Sequence, residues 1–361
     1  MDHGGRLRRL QRSFGGQFDA VLISHLPNIR YLCGFTGSAA ALAVTDNKAV
    51  FFSDGRYATQ AAAEVQDARV VIGRKPPLLQ AAEWLKRKFS RQQRITIGVE
   101  GEHLTIASQR QLKAVLPSGA RLRESPPYIE QARIVKDQEE IACLRDAVQL
   151  GASLFDVALK TIRPGVKEVE VAAEMEYAAR RSGADAMSFE TIIASGTRSA
   201  LPHGRASQAA IPAGAFVVCD FGVILAGYCS DMTRTVFVGN RPKEARNLYD
   251  AVREAQQAAV DAVRPGVTVD EVDQAARKLL KKSGLDRYFT HSTGHGVGLE
   301  IHEAPRVAAG KREVLHPGTV ITIEPGVYIP EKWGVRIEDI VVVTETGCEV
   351  LTPTTKDLIT L

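Results

Sequence analysis

The chain has 361 residues, enough for two domains at about 150 residues each, and its 45% hydrophobic and 24% charged content excludes a disordered or collagen-like polymer. Forty-six basic against 42 acidic side chains leave a formal charge of +4, too balanced to imply a nucleic-acid or membrane-surface partner. No apolar run approaches a membrane span and no signal-peptide core follows the basic N-terminus, so a cytoplasmic protein is expected; five scattered cysteines without CxxC spacing are expected as reduced thiols.

Arg6, Arg8, Arg9 and Arg12 read as the solvated face of a first helix. From Asp19 to Arg123, short β-rich runs (Ala20–Ile23, Ala49–Phe52, Arg69–Ile72, Ile95–Val99) alternate with helical stretches such as Leu78–Phe89, the pattern of a small α/β domain. Thr45-Asp46-Asn47-Lys48 reads as a hairpin turn. Ser125-Pro126-Pro127 breaks the pattern, and two domains are expected, residues 1–130 and 131–361.

Asp137 and Glu140 form a capping-box pair ahead of a long helix, whose apolar face is Ile141, Leu144, Val148, Phe155, Leu159 and Ile162. An internal repeat then appears. Arg163-Pro164-Gly165-Val166 recurs as Arg264-Pro265-Gly266-Val267, Glu170-Val171 as Glu271-Val272, and Ser182-Gly183 as Ser283-Gly284, each pair 101 residues apart. Each copy reads as helix, turn, second helix ended at Ser-Gly, then strands, and a period that occurs only twice fits a pseudo-twofold domain better than a solenoid.

Both copies place acids in apolar runs. Asp220 lies within Val217–Gly222 and Glu324 within Ile321–Gly326, followed by Asp231 and Glu338 on further strand-like stretches. A buried carboxylate is costly unless paired or metal-bound; the plainer alternative, acids at exposed strand ends satisfied by water, loses ground because the pattern recurs in both copies. His295 sits in Thr293-Gly294-His295-Gly296-Val297-Gly298, where the glycines let the backbone approach other groups. Four carboxylates and a neutral imidazole carry a formal charge of −4, which two divalent cations neutralise. Such an oxygen-rich set suits Mn²⁺ first, with Co²⁺, Fe²⁺ or Zn²⁺ as alternatives, for metal-assisted hydrolysis. Asp220-Phe221-Gly222 lacks the companion motifs of a kinase, and His302-Glu303 lacks the second histidine of a zincin.

These residues resemble the pita-bread metallopeptidases, the family of aminopeptidase P, prolidase and methionine aminopeptidase. The resemblance rests on Ile192–Gly196, Leu201-Pro202-His203-Gly204, Cys219–Gly222, Ser230–Thr235, Gly294–Gly298, Ile323–Gly326 and Val335–Asp339, and covers nearly the whole chain. It implies an α/β (α+β) architecture, with a creatinase-type N-terminal α/β domain ahead of a pseudo-twofold pita-bread catalytic domain. It implies Asp220, Asp231, His295, Glu324 and Glu338 as the ligands of two metal ions, with Asp231 and Glu338 bridging. Glu324 would also shuttle the proton of the attacking water, His302 would steady the tetrahedral intermediate, His203 would lie beside the scissile residue and proline ring, Arg336 would be a substrate-side cation, and Tyr328 would be part of the pocket wall. Plainer roles compete: His302 paired with Glu303, His203 as a turn residue, Arg336 paired with Glu338 or Asp339, and Tyr328 in the core.

Gly34–Ala39 and Ser53–Tyr57 look like segments of the aminopeptidase P N-domain, which methionine aminopeptidases lack. The resemblance therefore implies a homodimeric Xaa-Pro aminopeptidase acting on proline-containing peptides, with an Xaa-Pro dipeptidase (prolidase) as the alternative. A non-catalytic pita-bread binding module is the reading from another class, and intact ligands speak against it.

Overall fold

In the computed structural model, which describes residues 1–361, the apolar runs of the N-terminal third pair into one six-stranded sheet. Its order is Arg69–Gly73, Ala49–Asp54, Ala41–Thr45, Ala20–Ile23, Ile95–Val99, Ala120–Glu124. Ala41–Thr45 pairs antiparallel with both neighbours, and the outer pairings are parallel. The hairpin turn closes as expected, with Thr45 N–H donating to Lys48 O at 2.8 Å. Helix Pro77–Lys88 packs its buried Ala81 and Leu85 against Leu22, Ala43, Phe52 and Ile97. This unit spans Met1–Arg133. Its first helix, His3–Phe14, departs from the sequence reading at one arginine: Arg6 is buried, donates from Nη1 to Tyr31 O at 3.0 Å and lies over the Tyr31 ring. A cation can be buried when a carbonyl and an aromatic face replace its hydration; Arg8, Arg9 and Arg12 are exposed.

The second unit, Ile134–Leu361, carries the repeat. Its first helix, Gln138–Thr161, begins at the Asp137–Glu140 capping box. Each copy is a helix pair, Gln138–Thr161 with Glu168–Arg181 and Lys243–Ala262 with Val269–Lys282, joined by the Arg-Pro-Gly-Val turn. The turn glycines have the same left-handed backbone, φ 88° at Gly165 and 86° at Gly266, and in both copies a Glu three residues into the second helix accepts the N-cap N–H.

Each helix pair covers an antiparallel sheet. The first has the order Met232–Val238, Ala215–Phe221, Ile192–Ser195; the second has Glu303–Val307, Gly294–Gly296, Val320–Ile323, Asp339–Val343, Cys348–Val350. Separate cores fill the two halves, around Phe155, Met175, Val217 and Phe221 in one and Val252, Val272, Leu280, Ile321 and Val341 in the other. No helix is long and apolar enough to cross a membrane.

An L-residue in the left-handed region costs about 1–2 kcal/mol, and about 1 kcal/mol shifts the melting point of a unit of this size by about 2–4 °C. Gly266→Ala and Gly165→Ala should each lower Tm by a few degrees while leaving metal content unchanged, which differential scanning calorimetry and elemental analysis together would measure.

Candidate metal centre and active site

The strand ladders bring the acids of each copy together. In the first sheet Asp220 lies near the end of Ala215–Phe221 and Asp231 immediately precedes Met232–Val238, the strand paired with it through Met232↔Phe221 and Thr233↔Asp220. In the second, Glu324 immediately follows Val320–Ile323 and Glu338 immediately precedes Asp339–Val343, paired through Ile323↔Asp339. Only Asp220 is inside a strand; the other three sit where a ladder stops and a side chain can leave the sheet. Asp220, Asp231 and Glu338 are 8%, 5% and 2% exposed, which removes the reading of water-satisfied strand ends for these three, and Glu324 is half-buried.

His295 reaches this group from Gly294–Gly296. A Cβ on Gly294 would lie 1.9 Å from Thr322 O, and one on Gly296 2.2 Å from Ala304 O, so only glycines allow these strands to close around the histidine. Its Nδ1 lies 3.0 Å from Gly296 O and donates to it, which leaves the Nε2 lone pair facing Glu324 Oε1 at 3.4 Å and Asp231 Oδ2 at 3.6 Å. Burial pushes this imidazole down to about 4, so it is neutral near pH 7 and these contacts are not ion pairs. Acceptors face acceptors. Asp220 Oδ1 and Glu338 Oε1 are likewise buried without a hydrogen-bond partner.

Burial, reinforced by neighbouring carboxylates, raises Asp231 and Glu338 well above the usual carboxylate range. Burial also lifts Glu324 to about 7, against the pull of Arg336. Donor atoms of Asp231, His295 and Glu338 come within 4.8 Å of one another. A hard, oxygen-rich set with orphaned acceptors and a neutral imidazole fits divalent cations.

The oxygens turned away from this centre are held by the protein. Arg336 Nη2 donates to Asp220 Oδ2, its Nε to Thr233 Oγ1 at 3.1 Å, and its Nη1 to Pro202 O at 3.0 Å and to Tyr328 Oη. Thr233 Oγ1 in turn donates to Glu338 Oε2 at 2.8 Å. Arg336 thus pairs with Asp220 rather than with Glu338 or Asp339, and most of its donors are used within the protein. Asp339 pairs instead with buried Arg234 at 2.7 Å.

The five expected ligands line a single cleft of about 650 Å³, with His203, His302 and Arg336. His203 lies in a turn held by buried Glu168, which accepts from Ser195 N–H at 2.8 Å, Arg198 Nε at 3.0 Å and Ser207 Oγ at 2.7 Å. His302 packs its ring edge-on against His295 at 4.4 Å and is not paired with Glu303; partial burial and the proximity of His203 lower its pKa. Tyr328 does not line the cleft: it is buried behind it, its hydroxyl between Arg336 and His291 Nε2 at 3.0 Å.

Among the cleft residues that escaped the sequence reading are His291, Arg205 and Arg306. His291, pushed down to about 4 by burial, stands four residues before His295 and carries no motif of its own. Arg306 is the cross-strand partner of His295, a relation visible only in the register. Arg205 ion-pairs with Glu190 at 3.0 Å.

Cation binding requires the ionised carboxylates, and burial lifts Glu324 to about 7, so binding near pH 6 should expel a proton and affinity should rise as pH increases through 7. Titration calorimetry with Mn²⁺ in buffers of different ionisation enthalpy should register that release in chelator-treated protein. Asp231→Asn and Glu338→Gln should each reduce the bound-metal stoichiometry.

Two family models match the chain: the creatinase/prolidase N-terminal domain over residues 6–135 and metallopeptidase family M24 over residues 142–345. Among curated proteins, the chain is 38% identical to the Xaa-Pro dipeptidase of Pyrococcus horikoshii over 94% of both chains. Among solved structures, the Xaa-Pro dipeptidase of Bacillus anthracis superposes with a TM-score of 0.95 at 38% identity over the whole of both chains. The X-Pro aminopeptidase of Thermotoga maritima superposes with a TM-score of 0.88 at 34% identity, over 98% of this chain and all of that one. With its buried carboxylate centre and both domains matched, the chain belongs to the pita-bread metallopeptidases of family M24 and is a metal-dependent hydrolase.

Proposed function

We propose that the protein is an Xaa-Pro dipeptidase that hydrolyses the bond before a C-terminal proline. The observation that carries this reading is Arg306: it lines the cleft opposite His295 and has no acidic partner within the protein. A dipeptide places its carboxylate immediately beyond the scissile bond, where an unpaired guanidinium can take it as a charge-assisted pair. Similarity at 38% to two Xaa-Pro dipeptidases supports the same choice. The Gly34–Ala39 and Ser53–Tyr57 segments, which favoured an aminopeptidase, lie in a domain described as common to creatinases and prolidases, so they do not separate the two activities. An Xaa-Pro aminopeptidase is the second reading, favoured by the likeness to the Thermotoga enzyme.

In this reading Asp220, Asp231, His295, Glu324 and Glu338 hold two divalent ions, Mn²⁺ first among the candidates. When bound, the ions supply the charge that acidifies a water and polarises the scissile carbonyl. Glu324 takes a proton from the attacking water as its oxygen bonds to the carbonyl carbon, and returns that proton to the proline nitrogen as the C–N bond breaks. The transfer is required because the nitrogen would otherwise have to leave as a strongly basic anion; in proline, whose peptide nitrogen carries no hydrogen, the delivered proton is the first on that atom. His302 donates to the oxygen of the tetrahedral intermediate, and His203 packs beside the proline. Arg336 keeps Asp220 oriented rather than serving as the main substrate cation, because its donors are largely committed. A homodimer in the cytoplasm belongs to the same proposal.

His302→Ala should lower kcat about 10²–10³-fold, the usual loss for one such donor, with KM changed far less. Comparing kcat/KM for Ala-Pro, Ala-Pro-amide and Ala-Pro-Ala tests the substrate class. Loss of the charged anchor should cost about 10- to 150-fold, and Arg306→Met should abolish most of the difference between acid and amide. Cleavage of Ala-Pro-Ala as efficient as that of Ala-Pro would favour the aminopeptidase.

A further inference from the structure

We propose that Lys136 is a positioning residue for the reaction, acting through Glu303 to hold His302 in the cleft; the inference rests on the role given to His302 above. Lys136 starts from a rigid point. Its N–H donates to Gly318 O at 2.9 Å, its neighbour Val135 bridges to Thr319, and Asp137 after it caps the long helix. The Lys136 side chain is 1% exposed and that of Glu303 6%, and Nζ donates to Glu303 Oε2 at 3.2 Å.

The second oxygen of Glu303 closes the turn that carries His302. Glu303 Oε1 accepts the Glu300 N–H at 3.1 Å, and Gly298 N–H donates to Glu300 O at 3.1 Å. At the start of the turn Gly298 O accepts the Cys229 N–H at 2.7 Å. Gly298 packs so tightly on the Glu303 carboxylate that a Cβ there would lie 2.7 Å from Oε2. No protein hydrogen bond holds either ring nitrogen of His302; its ring packs edge-on against His295. The backbone of the turn therefore aims this imidazole, Glu303 shapes the turn, and Lys136 anchors Glu303. Without the lysine, the Glu303 carboxylate loses the charge-assisted donor that holds Oε2, and part of its desolvation cost is no longer offset, which loosens the turn.

The test compares Lys136→Met in wild-type and His302→Ala backgrounds, using manganese-loaded enzyme and Ala-Pro. Misplacing a reacting group by about 1 Å can cost about 100-fold, so Lys136→Met should lower kcat about 10- to 100-fold with KM and metal stoichiometry little changed. In the His302→Ala background the same substitution should cost less than about threefold, a barrier change below about 0.7 kcal/mol. Hydrogen exchange should quicken at residues 298–303 while the rest of the unit keeps its protection. If Lys136→Met does not fold, the charge-neutral pair Lys136→Met/Glu303→Gln carries the same comparison. A kcat near wild type, an equal loss in both backgrounds, or faster exchange throughout the unit would overturn the proposal. His302→Ala with unchanged kcat would retire the role of His302, and that of Lys136 with it.

Discussion

Mutual repulsion among four clustered carboxylates, three of them buried and Glu324 half-buried, is the constraint around which the catalytic unit is organised. Taken out of water and set beside one another, Asp231, Glu324 and Glu338 are pushed toward their protonated forms by burial and neighbouring carboxylates. The fold keeps them together because three of the four occupy positions just outside a strand, where the backbone is already fixed by the ladder and the side chain is free to turn inward. Bound cations would offset the cost of assembling such a group, and the buried, unpartnered oxygens of Asp220 and Glu338 fit that use.

The two copies of the repeat brace each other's acids. Thr233, from the first copy, donates to Glu338 of the second, and Arg234 beside it donates to the Glu338 carbonyl and pairs with Asp339. In return Arg336, from the second copy, binds Asp220 and Thr233 of the first, and its backbone is held by Thr235 Oγ1. Asp220 and Glu338 therefore each have one oxygen assigned by the opposite half. A duplicated fold can form a rigid centre this way without a dedicated scaffold: the interface between the halves is the site.

Around that centre the charges are divided by residue type. His295 and His291 are neutral near pH 7 because burial removes the water that an imidazolium needs, and burial lowers His302 as well. Positive charge at the cleft comes instead from guanidinium groups, which keep their proton in any environment. The histidines are thus available as a ligand or as neutral hydrogen-bond donors, while Arg336 supplies fixed charge to Asp220 and Arg306 supplies it to the cleft, where the proposed function has it meet a substrate carboxylate.

Much of this was legible from local pattern. The N-terminal strands, the capping box at Asp137, the paired Arg-Pro-Gly-Val turns and the doubled acids all follow from periodicity, helix-end chemistry and repetition within short windows. Identity of the four acids and His295 as one group could be reasoned from charge alone, since apolar surroundings leave such residues few other uses. Other features depend on which strand lies against which. Arg306 enters the cleft because register sets it across from His295, Tyr328 is withdrawn because its hydroxyl serves Arg336 and His291, and Arg336 chooses Asp220, 116 residues away, over the acids beside it in sequence. Glu303 takes Lys136, not its neighbour His302. The sequence by itself determined the elements, the duplication and the kind of chemistry, because these are written in residue types and short spacings; only the tertiary structure decided the partner of each charge, because a buried charge is settled by whatever long-range packing brings within hydrogen-bond reach.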